Sequence, residues 1–218
     1  MIDKRVASAA EAVADIFDGA AIMIGGFGEA GSPIELIHAL IDQGATNLTM
    51  ISNNCGSGQV GLAALLKAGR VSKVVCSFPR TANSTVFPEL YRSGRTKLEL
   101  VPQGTLAERI RAGGAGIPAF YTPSAVGTPL AEGKESREFG GRQYLLEHGM
   151  RADFSLIKGR VADTHGNILY NKTARNFGPV MASAAKLAVA EVRTISEDLL
   201  PRERIQLPGT YIDRVVAV

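Results

Sequence analysis

The sequence predicts an open, mainly parallel α/β sheet with helices on both faces and a β-rich annex in its second half. Three observations carry that reading. Short apolar runs alternate with segments of helical periodicity in four successive rounds before residue 113. The texture then turns to glycine and proline, G-G-A-G-I-P-A-F-Y-T-P-S. Beyond it, β-rich segments at 137–147 and 152–172 are divided by turns at Gly140-Gly141 and His165-Gly166-Asn167. With 218 residues the chain is long enough to bury a sizeable core, and residues 1–218 are expected to form a single domain.

The elements follow in order. Ala12, Val13, Ile16 and Phe17 share a helical face across residues 8–17, and Asp18-Gly19 ends that helix. Residues 20–24 are the first strand. A glycine loop leads from it into a second helix through Ile34, Ile37, Leu40 and Ile41, stopped by Gly44. Ser32, Pro33 and Glu35 read as a capping box with proline at the first helical position. The next strands are 47–51, 73–77 and 97–101. Their helices run through Val60 to Leu66, through Val86 to Tyr91, and onward from T-L-A-E at 105–108, a second capping box. A helix at 179–185, a strand at 187–195 and a tail at 211–218 complete the chain. Parallel strands joined by helices require right-handed crossovers.

Composition narrows the function. The formal net charge of +3 is small and evenly spread, and with neither a basic run nor an aromatic platform the chain does not read as a nucleic-acid binder. Two cysteines, Cys55 and Cys76, are too few for a disulfide framework or a zinc site, which favours a reducing, cytoplasmic setting. His38, His148 and His165 share no ligand spacing, so no metal is expected. No run approaches the roughly 18 apolar residues of a membrane span.

In an open parallel sheet, ligands bind beyond the carboxyl ends of the strands. That rule selects the loops at 25–31, 52–58, 77–80 and 102–104. Their side chains are mostly uncharged: Asn53, Asn54 and Gln103 offer amides, and Arg80 adds a cation. Such a set can stabilise a developing negative charge but supplies no strong nucleophile or base, so it reads as half of an active site. Each residue also has a plain reading, the asparagines as turn formers, Gln103 as a solvated loop residue and Arg80 as a surface charge. Gly26, Gly28 and Gly31 imitate the dinucleotide spacing G-x-G-x-x-G. The acid expected about 20 residues later is replaced by Ser52-Asn53-Asn54, which argues against a nicotinamide site.

Several long motifs stand in one order along nearly the whole chain: D-G-A-A-I-M-I-G-G-F-G-E-A-G-S-P from Asp18, S-N-N from Ser52, P-Q-G-T-L-A-E-R-I-R-A-G-G-A-G-I-P-A-F from Pro102, G-T-P-L-A-E-G-K-E from Gly127 and A-R-N-F from Ala174. Together they resemble the α (A) subunits of class I CoA-transferases. Within that family, V-V-C-S-F-P-R, L-Y-R-S-G and the terminal R-V-V-A-V are most similar to the branch that serves 3-oxoadipate in aromatic-compound degradation.

The resemblance implies a CoA-transferase (Rossmann-like) fold and transfer of CoA from succinyl-CoA to a 3-oxo acid by a ping-pong route. It implies that the nucleophilic glutamate stands in an E-N-G type motif of a β (B) subunit, and none of the glutamates here precedes Asn-Gly. It assigns Gln103 as an oxyanion donor beside a backbone N–H of the partner, Asn53 and Asn54 as pocket amides, and Gly25, Gly26, Phe27, Gly28, Glu29, Ala30 and Gly31 as the loop that contacts CoA or substrate. Glu29 departs from the small or apolar residue common there. A dicarboxylic acceptor gives Arg80 a reading of our own, as a bidentate holder of the second carboxylate. CoA thioesters are then substrates, with no permanently bound cofactor, and the CoA-transferase β subunit is the partner in an α2β2 heterotetramer. Acetoacetate or a short-chain fatty acid is the alternative acceptor. A sugar-phosphate sensor is the alternative from a different class.

Overall fold

The computed structural model describes residues 2–81 and 84–218, so Ala82 and Asn83 of the polar stretch after Arg80 lie outside it. The first half runs α1 (Ala9–Val13), β1 (Ala21–Ile24), α2 (Ile34–Gln43), β2 (Leu48–Ile51), α3 (Gly61–Lys67), β3 (Val71–Cys76), α4 (Val86–Arg92), β4 (Lys97–Leu100) and α5 (Gln103–Gly114). The second half adds β5 (Ala119–Thr122), β6 (Ser136–Phe139), β7 (Arg142–His148), β8 (Ala152–Lys158), β9 (Val161–Asp163), β10 (Ile168–Leu169), α6 (Gly178–Ala184), β11 (Ala185–Val192), β12 (Thr194–Ser196) and β13 (Arg214–Ala217).

Seven strands make the main sheet in the order β13-β11-β8-β1-β2-β3-β4, every pairing parallel. The chain leaves β1 on the β2 side and returns to its other edge with β8, so the strand order reverses at β1. The expected β-rich annex is therefore only part of the second half. Residues 152–158, 185–192 and 214–217 complete the main sheet, and the annex is two small sheets, β5-β7-β6 and β10-β9-β12. β8 and β11 are buried along most of their length because both of their faces are covered.

Side chains alternate between two cores. From β1, Ile22 and Ile24 enter the core under α1 to α4, while Met23 enters the one under α5 and α6. β2, β3 and β8 repeat the alternation with Met50 and Ile51, Val74 and Val75, Leu156 and Ile157.

The helix ends correct the sequence reading. Ser8 does cap α1, accepting from the Glu11 N–H at 3.1 Å. Neither capping box forms. Ser32 lies two residues ahead of α2, and no side chain of its own segment caps that helix. Instead the Leu36 N–H donates to Glu191 Oε2 at 3.0 Å, and Glu191, fully buried on β11, takes Lys158 Nζ on Oε1 at 2.8 Å. Thr105 lies inside α5, which starts at Gln103 behind Pro102. The predicted stop at Gly44 holds, with φ of 98°.

Candidate functional site

The carboxyl ends of β1 to β4 enclose a cleft of about 380 Å³, lined by Phe27, Gly28, Asn53, Asn54, Ser77, Phe78, Thr81 and Gln103. Each strand contributes through the loop that follows it, as expected where strand order reverses. Phe27 and Phe78 are large apolar side chains left about half exposed there.

One amide oxygen organises the polar part. Asn53 Oδ1 accepts from Gln103 Nε2 at 2.8 Å and from the Ser77 hydroxyl at 2.9 Å. The Asn53 backbone oxygen takes the N–H groups of Ser77 at 3.2 Å and Phe78 at 3.0 Å, which locks the β2 and β3 loops together. Asn53 is buried, whereas Gln103 is exposed at the first position of α5. One N–H of the Gln103 amide is thus committed to Asn53, and its carboxamide carries a second. Asn54 Oδ1 closes a turn on the Gly56 N–H at 2.7 Å. Its buried Nδ2 has no partner among the described residues. A buried donor left unpaired is costly, and a ligand oxygen in the cleft would relieve that cost.

Behind the asparagines, Cys55 and Cys76 lie with their sulfurs 3.8 Å apart, buried and unbridged. Contact with Cys76 and burial push the Cys55 thiol far up from its ordinary range, so it stays protonated and inert.

The glycine stretch forms a miniature hairpin. Gly25 is buried and continues the β1 pairing, donating to the Leu156 oxygen at 2.9 Å. Phe27 and Ala30 exchange backbone hydrogen bonds of 3.0 and 3.2 Å, with Gly28 and Glu29 at the tip. Phe27 and Gly28 face the cleft. Ala30 and Gly31 border a second hollow with Lys158, Arg160, Asn171 and Arg193. Glu29 accepts from the Ser57 hydroxyl at 2.9 Å, tying the hairpin to the β2 loop. The positive end of α2 meets the Glu191 carboxylate.

Arg80 is exposed and is not among the residues that line the cleft. Ser77 and Phe78 stand in a loop that the strand-end rule selects, although the sequence gives neither a role. Sequence reasoning misses Thr81, whose hydroxyl donates to the Gly56 oxygen at 3.3 Å, and Asn176, which binds the hairpin. Asn176 carries one signal, its place in the A-R-N-F motif. Among the described residues no group of three or more His, Cys, Asp or Glu is arranged to hold a metal ion, and no helix is long and apolar enough to cross a membrane.

Comparison with known proteins adds three findings. A family model described as Coenzyme A transferase matches residues 6–218. The chain is 58% identical to the α (A) subunit of 3-oxoadipate CoA-transferase from Pseudomonas putida, across all of this chain and 95% of the relative. It is 52% identical to the protein of that name from Acinetobacter baylyi, across all of this chain and 96% of the relative. Among solved structures, an acyl-CoA transferase of Escherichia coli O157:H7, in a thioester complex with CoA, superposes with a TM-score of 0.88 at 23% identity. The superposition covers all of this chain and 50% of that one, and it speaks for the fold alone.

Proposed function

The chain belongs to the coenzyme A transferase family as an α (A) subunit, and from that premise we propose that its acceptor is 3-oxoadipate, charged with CoA taken from succinyl-CoA. The observation that carries the catalytic part of the reading is the amide set in the cleft. Gln103 is held through one N–H by Asn53, itself oriented by Ser77, and the buried Nδ2 of Asn54 lacks a partner among the described residues. Oriented amide donors of this kind suit a thioester oxygen that becomes negative as its carbonyl carbon is attacked.

In this reading the nucleophile is a glutamate carboxylate of the β subunit. It attacks the succinyl thioester carbonyl and expels CoA thiolate, leaving a glutamyl–succinyl anhydride; the thiolate then attacks the glutamyl carbonyl, succinate leaves, and an enzyme-bound glutamyl-CoA thioester remains. In the second half of the ping-pong cycle the acceptor carboxylate expels CoA thiolate from that thioester to form a new anhydride, and the thiolate takes the acceptor acyl group and frees the glutamate. Gln103 donates its second N–H to the thioester oxygen, Asn53 keeps that amide in place, and Asn54 offers Nδ2 to the same pocket. Phe27 and Gly28 form the wall supplied by the hairpin, whose remaining glycines shape it. Arg80, exposed in the loop whose Ser77, Phe78 and Thr81 line the cleft, is the group we assign to the second carboxylate of the acceptor. Glu29 is assigned to the hairpin's anchorage through Ser57. CoA thioesters enter as substrates and no cofactor is resident. The 218 residues act as one domain, paired with the β subunit in a cytoplasmic α2β2 heterotetramer.

The test is co-expression with a candidate β subunit, followed by assay of CoA transfer from succinyl-CoA to 3-oxoadipate and acetoacetate side by side. Transfer should need both chains and favour 3-oxoadipate. Transfer by this chain alone would overturn the half-site reading, and preference for acetoacetate would overturn the acceptor.

A further inference from the structure

We propose that Asn176 is a positioning residue that holds the glycine hairpin in register with the cleft. A hairpin of four residues with two at its tip has too few contacts to fix its own place. Its Glu29–Ser57 bond joins an exposed carboxylate to a half-buried hydroxyl and can do little alone. Asn176 binds both ends of the hairpin at once. Its Oδ1 accepts from the Gly26 N–H at 3.2 Å, and its Nδ2 donates to the Ala30 oxygen at 2.8 Å, the same oxygen that closes the hairpin on the Phe27 N–H. The other half of each group is turned inward, Oδ1 taking the Phe177 N–H at 2.7 Å and Nδ2 reaching the Ala174 oxygen at 3.1 Å. All four bonds of the amide are therefore made, which leaves it nothing for a substrate and makes it a support rather than a ligand.

Two further features agree. Asn176 has φ of 23° and ψ of −115°, a region that residues with a Cβ avoid and keep only where their surroundings over-determine them. Gly31 has φ of 77°, and a Cβ there would overlap the Ala174 carbonyl and press on Asn176 Nδ2. The 174–176 segment and the hairpin thus approach too closely for any side chain but the asparagine between them. The consequence for the reaction rests on the cleft being an acyl-CoA site, because the hairpin carries Phe27 and Gly28 into its wall.

The experiment uses the enzyme assembled with its β subunit and the variants Asn176→Ala and Asn176→Gly. Glycine accepts the backbone angle, so Asn176→Gly removes the side chain without the strain and guards against a variant that fails to fold. Both should raise KM for succinyl-CoA about tenfold with kcat within about twofold of the parent, the signature of a displaced binding wall. Hydrogen exchange at the Phe27 and Ala30 amides should quicken about tenfold while the β1 amides keep their protection. An unchanged KM in Asn176→Gly, or unchanged exchange in the hairpin, would overturn the proposal. If the parent pair transferred no CoA, the acyl-CoA reading would fail, and the exchange data would still decide whether Asn176 holds the hairpin.

Discussion

Asn53 concentrates two donors on one oxygen, and that fixes how the neighbouring residues should respond to mutation. Gln103→Ala removes the donor itself and should lower kcat roughly a hundredfold or more, with assembly intact. Ser77→Ala leaves Gln103 in place and removes one of the two bonds that orient Asn53. A neutral hydrogen bond worth about 1 kcal/mol corresponds to roughly a fivefold loss. Steady-state kinetics on the paired subunits would check both, and equal losses would deny Gln103 its direct role. Asn53, Asn54 and Gln103 are legible in the sequence because each stands just past a predicted strand, where an open sheet collects its ligands. The bond from Ser77 to Asn53 is not, since it depends on how the β2 and β3 loops meet. Asn176 is harder still, 150 residues away in sequence from the Gly26 it binds.

At the scale of an element, α2 is tied to the sheet by a charge rather than by its own cap. Glu191 is fully buried, and its carboxylate serves both the helix N-terminus and Lys158. Lys158 is partly exposed and water can take it over, but the buried Leu36 N–H would lose its acceptor, so Glu191→Ala should destabilise the chain by about 2 kcal/mol, read as a lowered urea midpoint. A change below about 1 kcal/mol would mean that water replaces the carboxylate at little cost. The local pattern misleads here for a physical reason. Ser32 and Glu35 satisfy the capping-box spacing, but the chain enters α2 through Pro33 from a hairpin pinned elsewhere, and a residue 155 positions along does the capping. Strand and helix periodicity, by contrast, locates nearly every element of the first half, because there each element packs against its neighbours in sequence.

For the molecule as a whole, stability should fall in acid through Asp163 among others. This buried carboxylate joins the turn after β9 to the segment at Leu200, accepting from the His165, Asn167 and Leu200 N–H groups at 3.0 Å each and from Asn167 Nδ2 at 2.8 Å. Burial opposes its ionisation, but those hydrogen bonds outweigh burial and hold its carboxyl below the ordinary range. A depressed value contributes stability above the unfolded-state pKa of about 3.9, and that contribution is lost as pH falls through the folded-state value. Asp163→Asn should therefore be less stable at pH 7 and should lose less between about pH 5 and pH 2 than the parent does. Parallel acid limbs in urea titrations would refute this. The strands added on the far side of β1 are the part of the fold that sequence pattern cannot rank. The 152–158 run looks like annex, and nothing local says that it belongs against β1.

That placement has a consequence for synthesis. β1 meets β2 soon after both are made, but its other edge waits for β8, and the Ala21 N–H that binds Asp153 is 132 residues upstream of its partner. At roughly 5–20 residues per second on the ribosome, the edge stays open for about 7 to 26 seconds. An apolar strand, Ala-Ile-Met-Ile, thus spends that interval with unpaired backbone groups on the side later covered by Phe154, Ser155 and Leu156. The nascent chain, rather than the finished subunit, is where this fold is most exposed to aggregation and to chaperone capture.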